Sequence, residues 1–341
     1  MSRNLIVRSI GPAVAVQDLG RPGFVSVGLT QGGASDPVAL YEGAALLGQQ
    51  PSCSVLEMAG MGGMFEATTD IRIAFSGAVM DVKIDDTLVQ WNASHLLPKG
   101  SILTIGAARC GNFGYLHVGG GFATQSYLGT QGCHLSAGLG RLVERGDVLP
   151  LGCDSGCQTG FCLVPEPRFD GGKIRFVRSM QSDKFEDSTV TRFTETEFRR
   201  DPRGNRQGIR MDFEGEGFQA DGQLNIVSEV TIAGDIQITG DGTPFILMHE
   251  CQTTGGYPRI GTILPCDLNK VSQAPIGNFF KFELLGLEEG AAIQARANAI
   301  LSGLRKSIKP LIRDVSKIQN LLSYQLISGV ISAKSAPLDE G

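Results

Sequence analysis

No stretch of the 341-residue sequence approaches the ~18 consecutive apolar residues of a membrane-spanning helix, so no membrane role is expected. Charge of one sign is scarce as well. Thirty Lys and Arg stand against 35 Asp and Glu, the formal net charge is −5, and no basic block exceeds a few residues. This excludes a global field that would draw nucleic acid or anionic membrane. The phosphate-loop pattern G-x-x-x-x-G-K-[ST] and the nucleophile elbow G-x-S-x-G are both missing. His249-Glu250 begins like a zincin motif, but Thr253 occupies the place of the second histidine ligand. A Met-Lys-Met biotin-attachment signature is absent too. ATP or biotin, if used, is therefore expected to have its principal site on another chain. The stretch from Met1 to Gly20 lacks the apolar core and cleavage site of a signal peptide. Eight cysteines without such a signal read as reduced thiols, and the expected location is cytoplasmic. Cys153, Cys157 and Cys162 are spaced widely for a zinc knuckle and have no fourth ligand nearby, so no metal is expected.

What the chain does have is glycine. Its 46 glycines are about twice the usual share. They are scattered between short apolar, β-branched runs, a pattern of many tight turns and many short strands. Examples of such runs are Asn4 to Ile10, Ile71 to Phe75, Ile102 to Ile105 and Tyr115 to Val118. Val82 to Val89 reads as a hairpin with Asp85-Asp86 at its turn. A helix is expected after Asp36, with Asp36 as cap, Pro37 at the first position and Ala39, Leu40, Ala44, Leu46 and Leu47 on its buried face. The Gly- and Pro-rich segment from Pro150 to Lys173 reads as a linker. The fold class is mainly β (α+β), with domains expected at 1–165 and 173–286. Beyond them, Ile293, Ala297, Ile300, Leu301, Leu304 and Ile308 fall at helical spacing, and Leu311, Val315, Ile318, Leu322 and Leu326 resume it after Pro310. Two amphipathic helices are expected over 287–333.

Three segments carry candidate chemistry. His249 to Pro258 sets hydrogen-bonding side chains beside Gly255-Gly256, where backbone amides can approach a ligand closely. A polar hairpin turn explains the same composition. Arg206 and Arg210, four residues apart, share one face if extended and could clamp a carboxylate or phosphate; a solvated basic edge is the plainer reading. Asp18 and Arg21 flank a turn, which reads most simply as a salt bridge.

These segments in order resemble one family. Gln17-Asp18-Leu19-Gly20-Arg21-Pro22-Gly23, Gly33-Ala34-Ser35-Asp36, Leu56-Glu57, Ser76-Gly77-Ala78 and Gly146-Asp147-Val148-Leu149 are similar to its first-half signatures. Asn205-Arg206-Gln207-Gly208-Ile209-Arg210, Ser228-Glu229, Gly234-Asp235-Ile236-Gln237 and Gln252 to Pro258 are similar to those of its second half. The family is that of the 5-oxoprolinase C subunits, also called allophanate hydrolase subunit 2, related to the carboxyltransferase domain of urea carboxylase. Asn205, Ile209 and Cys251 depart from its pattern.

The resemblance implies two cyclophilin-like β-barrel domains and partners that are homologues of the A and B subunits. With them the chain would open the 5-oxoproline lactam to glutamate with ATP hydrolysis, the isolated chain being inactive. Gln252, Thr253, Gly255 and Gly256 would donate to the developing oxyanion, with Tyr257 beside them and His249 or Glu250 as base. Arg206 or Arg210 would bind the substrate anion, and Asp18, Arg21 and Asp36 form the other candidate cluster. Two alternatives are a carboxyltransferase-type protein that acts on a biotin-borne carboxyl group and a regulatory binding protein of the kinase-inhibitor-antagonist type.

Overall fold

A computed structural model describes residues 3–220 and 227–312, and these are mainly β. The first half runs through β1 (Asn4–Ile10), β2 (Val14–Gln17), α1 (Pro37–Leu47), β3 (Val55–Ala59) and β4 (Gly63–Ala67). It continues with β5 (Ile71–Ile84), β6 (Thr87–Leu88), β7 (Ser94–Leu97), β8 (Ile102–Val118) and β9 (Val148–Pro150). Strand order is β2-β3-β8-β4-β1-β9, with β5 on β8 and β6 and β7 on β5. β5 and β8 pair along nearly their whole length, and register shifts between Gly77 and Val82 bend the sheet around its own core. That core is largely aliphatic, built on Leu5, Val14, Val16, Leu56, Ile73 and Leu116. The hairpin turn is where the sequence puts it. Asp85 and Asp86 take φ of 46° and 67°, the left-handed pair that a tight two-residue turn requires.

The second half contains β10 (Phe161–Cys162), β11 (Gly172–Val177), α2 (Asp187–Glu195), β12 (Glu197–Gly204) and β13 (Gly208–Asp212). Then come β14 (Glu229–Val230), β15 (Asp235–Ile238), β16 (Pro244–Leu247), β17 (Thr254–Gly255) and β18 (Arg259–Ile263). α3 (Pro265–Gln273), β19 (Phe279–Leu285), α4 (Leu287–Gly303) and β20 (Lys309–Pro310) complete it. Seven strands close a barrel in the order β11-β18-β15-β16-β13-β12-β19, sealed by the parallel pairing of β11 with β19. Its core is aromatic: Phe176, Phe193, Phe198, Phe218 and Phe282 meet edge-on or tilted. The expected pair of barrels is thus one closed barrel and one half-barrel. Alternating apolar residues mark strands, whereas closure depends on which edges meet, and β2 and β9 stay at opposite ends of the first sheet's order.

Helix expectations need two corrections. Asp36 stands at the N-cap of α1, but its side chain makes no capping bond because it is committed elsewhere. The helix expected through Ile308 ends at Gly303. Leu304 and Ile308 instead pack on Leu46, Leu47, Ala74 and Leu163, while β20 pairs with β10. The second expected helix, past Pro310, lies almost wholly outside the described residues.

The halves meet along a polar seam that positions everything below. Gln273, at the C-terminal end of α3, accepts from the Asn112 and Phe113 amides (3.0 Å each) and donates to the Phe113 carbonyl (2.9 Å) and Asp36 (2.8 Å). Arg168, just before β11, donates to Asp36 at 2.7 Å and to both oxygens of Glu42 on α1. Both arms are buried, so the seam belongs to the fold rather than to its surface.

Candidate functional site

Alternation along β2 and β3 decides which side chains face the seam. Val14, Val16, Leu56 and Met58 enter the first core, so Ala13, Ala15 and Gln17, with Glu57 and Ala59, are left on the opposite face. The small alanines leave room there. Covering that face, the second half brings Arg200 and Asn205–Arg206 from β12 and its turn, Met248 and His249 after β16, and Ser272 of α3. Together they enclose a cavity of about 270 Å3 between the halves.

Arg206 sits at its edge and joins the halves. Its Nη1 donates to Glu57 Oε1 and to Ser35 Oγ (2.8 Å), its Nη2 to the Gly33 carbonyl, and its Nε to Glu250 Oε1. Glu57 is saturated by Ser35 N and Oγ and by Tyr115 Oη, as well as by Arg206. Glu250 takes Ser136 N and Oγ at 2.9 Å each. Burial opposes ionisation of Glu250, but Arg206 and the Ser136 donors outweigh it and hold its carboxyl below the usual range. Glu250 is thus a fixed carboxylate and a poor base.

His249 differs. Burial, with Arg206 beside it, pushes its imidazole down to about 4, so the ring is neutral at pH 7. Among the described residues neither ring nitrogen has a hydrogen-bond partner, and the residue lines both this cavity and a larger groove of about 920 Å3. The groove runs between α1, α3 and α4, and the Ile293, Ala297, Ile300 and Leu301 stripe of α4 faces it.

Two residues that the sequence does not single out complete the cavity. Gln17 is fully buried, and neither its amide nitrogen nor its amide oxygen has a partner among the described residues. Arg200 caps α3 through Nη1, which donates to the Val271, Ser272 and Ala274 carbonyls at 2.7–2.9 Å. Its Nε and Nη2 have no partner among the described residues, and no carboxylate there pairs with it. Burial alone lowers it to about 10. Gln17 was visible in the sequence only as a neighbour of Asp18, and Arg200 as one arginine in a basic run.

The other candidates are placed as follows. Arg206 and Arg210 do not form a clamp. Arg206 leaves the strand at the turn after β12, while Arg210 on β13 pairs with Asp201 (2.7 Å) and Asp212 (3.1 Å). Asp18 and Arg21 do not pair with each other either; both reach the Thr130–Gly132 segment. Asp18 accepts from the Gln131 and Gly132 amides (2.9 and 3.0 Å), and Arg21 donates to Thr130 Oγ1 (2.9 Å) and the Gly132 carbonyl. Asp36 is held by Arg168 and Gln273. Gln252, Thr253, Gly255, Gly256 and Tyr257 line neither cavity. Their backbone is tied to the Glu229–Thr231 segment: Thr231 donates to the Gln252 carbonyl at 2.6 Å, and β14 pairs with β17. Tyr257 is 47% exposed on that ridge. Of the expected catalytic and anion-binding residues, the fold brings His249 and Arg206 to the cavity, with Glu250 behind Arg206.

No helix among the described residues is long and apolar enough to cross a membrane. Comparison with known proteins gives the relationship. The chain is 29% identical to the C subunit of 5-oxoprolinase from Haemophilus influenzae over 297 residues, covering 86% of this chain and 95% of that one. It is 31% identical to the C subunit of 5-oxoprolinase from Escherichia coli over 296 residues, covering 85% and 93%. The Kluyveromyces lactis urea amidolyase structure superposes with a TM-score of 0.79 at 21% identity, over 92% of this chain and 21% of that chain. Another solved protein is likewise matched over only 55% of its length. The family described as "Carboxyltransferase domain, subdomain A and B" matches residues 27–284. The chain belongs to that carboxyltransferase-domain family.

Proposed function

We propose that the chain is one subunit of a 5-oxoprolinase complex that opens the 5-oxoproline lactam to glutamate. The relatives supply the substrate in their names. The observation that carries the reading is the inter-half cavity, which is lined both by a neutral His249 with free ring nitrogens and by the Arg200 guanidinium without a counter-ion. Lactam opening adds water to the carbonyl carbon and returns a proton to the departing nitrogen. A neutral imidazole can accept the proton from water and deliver it to that nitrogen.

The sequence carries no phosphate-binding loop pattern, so in this reading the nucleotide is bound by a partner homologous to the A or the B subunit. A carboxyltransferase role is the second reading, favoured by the family description and the urea amidolyase superposition. In that reading a carrier chain brings the biotin-borne carboxyl group.

The test is reconstitution with homologues of the A and B subunits. ATP-dependent release of glutamate from 5-oxoproline, absent from any chain alone, is the expected result. Carboxyl transfer to an amide without lactam opening would replace the first reading by the second.

A further inference from the structure

We propose that Gln17 and Arg200 form a recognition site for a small cis-amide bearing a carboxylate, with Gln17 reading the amide edge and Arg200 holding the acid. The inference rests on the functional reading above and names the residues that would select its substrate.

A primary carboxamide offers one acceptor and one donor side by side. Leaving both without a partner inside a folded protein is costly, and native structures rarely do it. Gln17 does so in both atoms, while its strand neighbours are fully paired with β3. The group that complements a carboxamide at two points is another amide whose N–H and C=O lie on the same edge. A ring forces that geometry: in a lactam the amide is locked cis, whereas an open-chain peptide amide is trans. Ala13, Ala15 and Ala59 beside Gln17 give a shallow apolar wall for the ring methylenes.

Arg200 supplies the second point. One nitrogen is committed to the end of α3, and the remaining Nε and Nη2 form an edge suited to a bidentate carboxylate. Arg206, the other arginine at the cavity, is already neutralised by Glu57 and Glu250. The uncompensated positive charge of the cavity is thus that of Arg200. A cavity of about 270 Å3 suits a single ring acid.

The cavity is enclosed by this chain's own residues, so binding can be measured on the full chain by calorimetry with three probes. These are 5-oxoproline, pyrrolidinone (the lactam without the acid) and proline (the ring acid without the lactam carbonyl). Tightest binding of 5-oxoproline is expected. Gln17→Leu should weaken it at least about tenfold and erase its advantage over proline. Arg200→Met should erase its advantage over pyrrolidinone. Because Arg200 also caps α3, the wild-type ranking of the probes stands as an independent readout should that variant misfold. Equal binding of proline and 5-oxoproline by the wild type, or no saturable binding of any probe, would overturn the inference. In the reconstituted complex the two claims separate. Undiminished lactam opening by Gln17→Leu removes this inference and keeps the functional reading. Gln17-dependent binding without lactam opening does the reverse.

Discussion

Arg206 and Glu57, 149 residues apart, form an ion pair at the seam between the two halves, where Arg206 is also held by Ser35 of the first half and Glu250 of the second, and Glu57 by Ser35 and Tyr115. Removing the guanidinium would leave two buried carboxylates, Glu57 and Glu250, without their cation. Arg206→Met is therefore expected to destabilise the chain by about 3–5 kcal/mol, read from urea unfolding, with Glu57→Gln in the same direction. A loss under ~1 kcal/mol would show the pair to be dispensable.

His249 makes stability depend on pH in a definite direction. Its folded pKa, about 4, lies below the ordinary 6.5, so between these values the unfolded chain binds more protons than the folded one. Stability then rises with pH across that window and is lost as pH falls through it. His117, buried against α1 and pushed down to about 3, adds to the same slope. His249→Gln should flatten the difference between urea midpoints at pH 7 and pH 4.5. An unchanged slope would mean that the imidazole is not buried as described.

Gly43 on α1 faces the His117 ring: a Cβ there would lie 2.3 Å from three ring atoms. The ring cannot move freely, since its Nε2 is 2.7 Å from Ser76 Oγ in a fully buried setting. Gly43→Ala gains up to ~1 kcal/mol of helix propensity but meets an overpacking cost of about 1–3 kcal/mol, so a net loss of stability is expected. By contrast, a Cβ at Gly256 meets nothing closer than Ser228 Oγ at 3.6 Å. Gly256→Ala should therefore unfold within ~0.5 kcal/mol of wild type. The opposite ranking in thermal melts would contradict both placements.

The eight cysteines are free, and thiol titration checks how they are arranged. Cys153 and Cys157 are exposed and should react first in the native state. Cys251, pushed up to about 12 chiefly by burial, should react only on unfolding. Fewer than eight thiols after denaturation under non-reducing conditions would contradict the assignment.

The sequence makes strands, turns and α1 legible because period-two apolar patterns and turn residues are local signals. Asp85-Asp86 and Pro37 are examples. It does not reveal the cavity, which forms only when β2 and β3 of one half meet β12, His249 and α3 of the other. Gln17 illustrates the gap. Its neighbours advertise a turn, while its own importance lies in partners it does not have. The loop from Gln252 to Tyr257 is the opposite case, since its donor-rich composition stands out in the sequence while it lines neither cavity and its backbone pairs with β14 beside it. Asp36 and Arg210 likewise look like site residues in one dimension and serve ion pairs in three.

The most direct test of the account is glutamate release from 5-oxoproline by the reconstituted complex carrying His249→Gln, with fold and partner binding verified. Loss of a positioned acid–base group is expected to lower kcat by about a hundredfold or more. Turnover at the wild-type rate would place the chemistry outside the cavity between the halves.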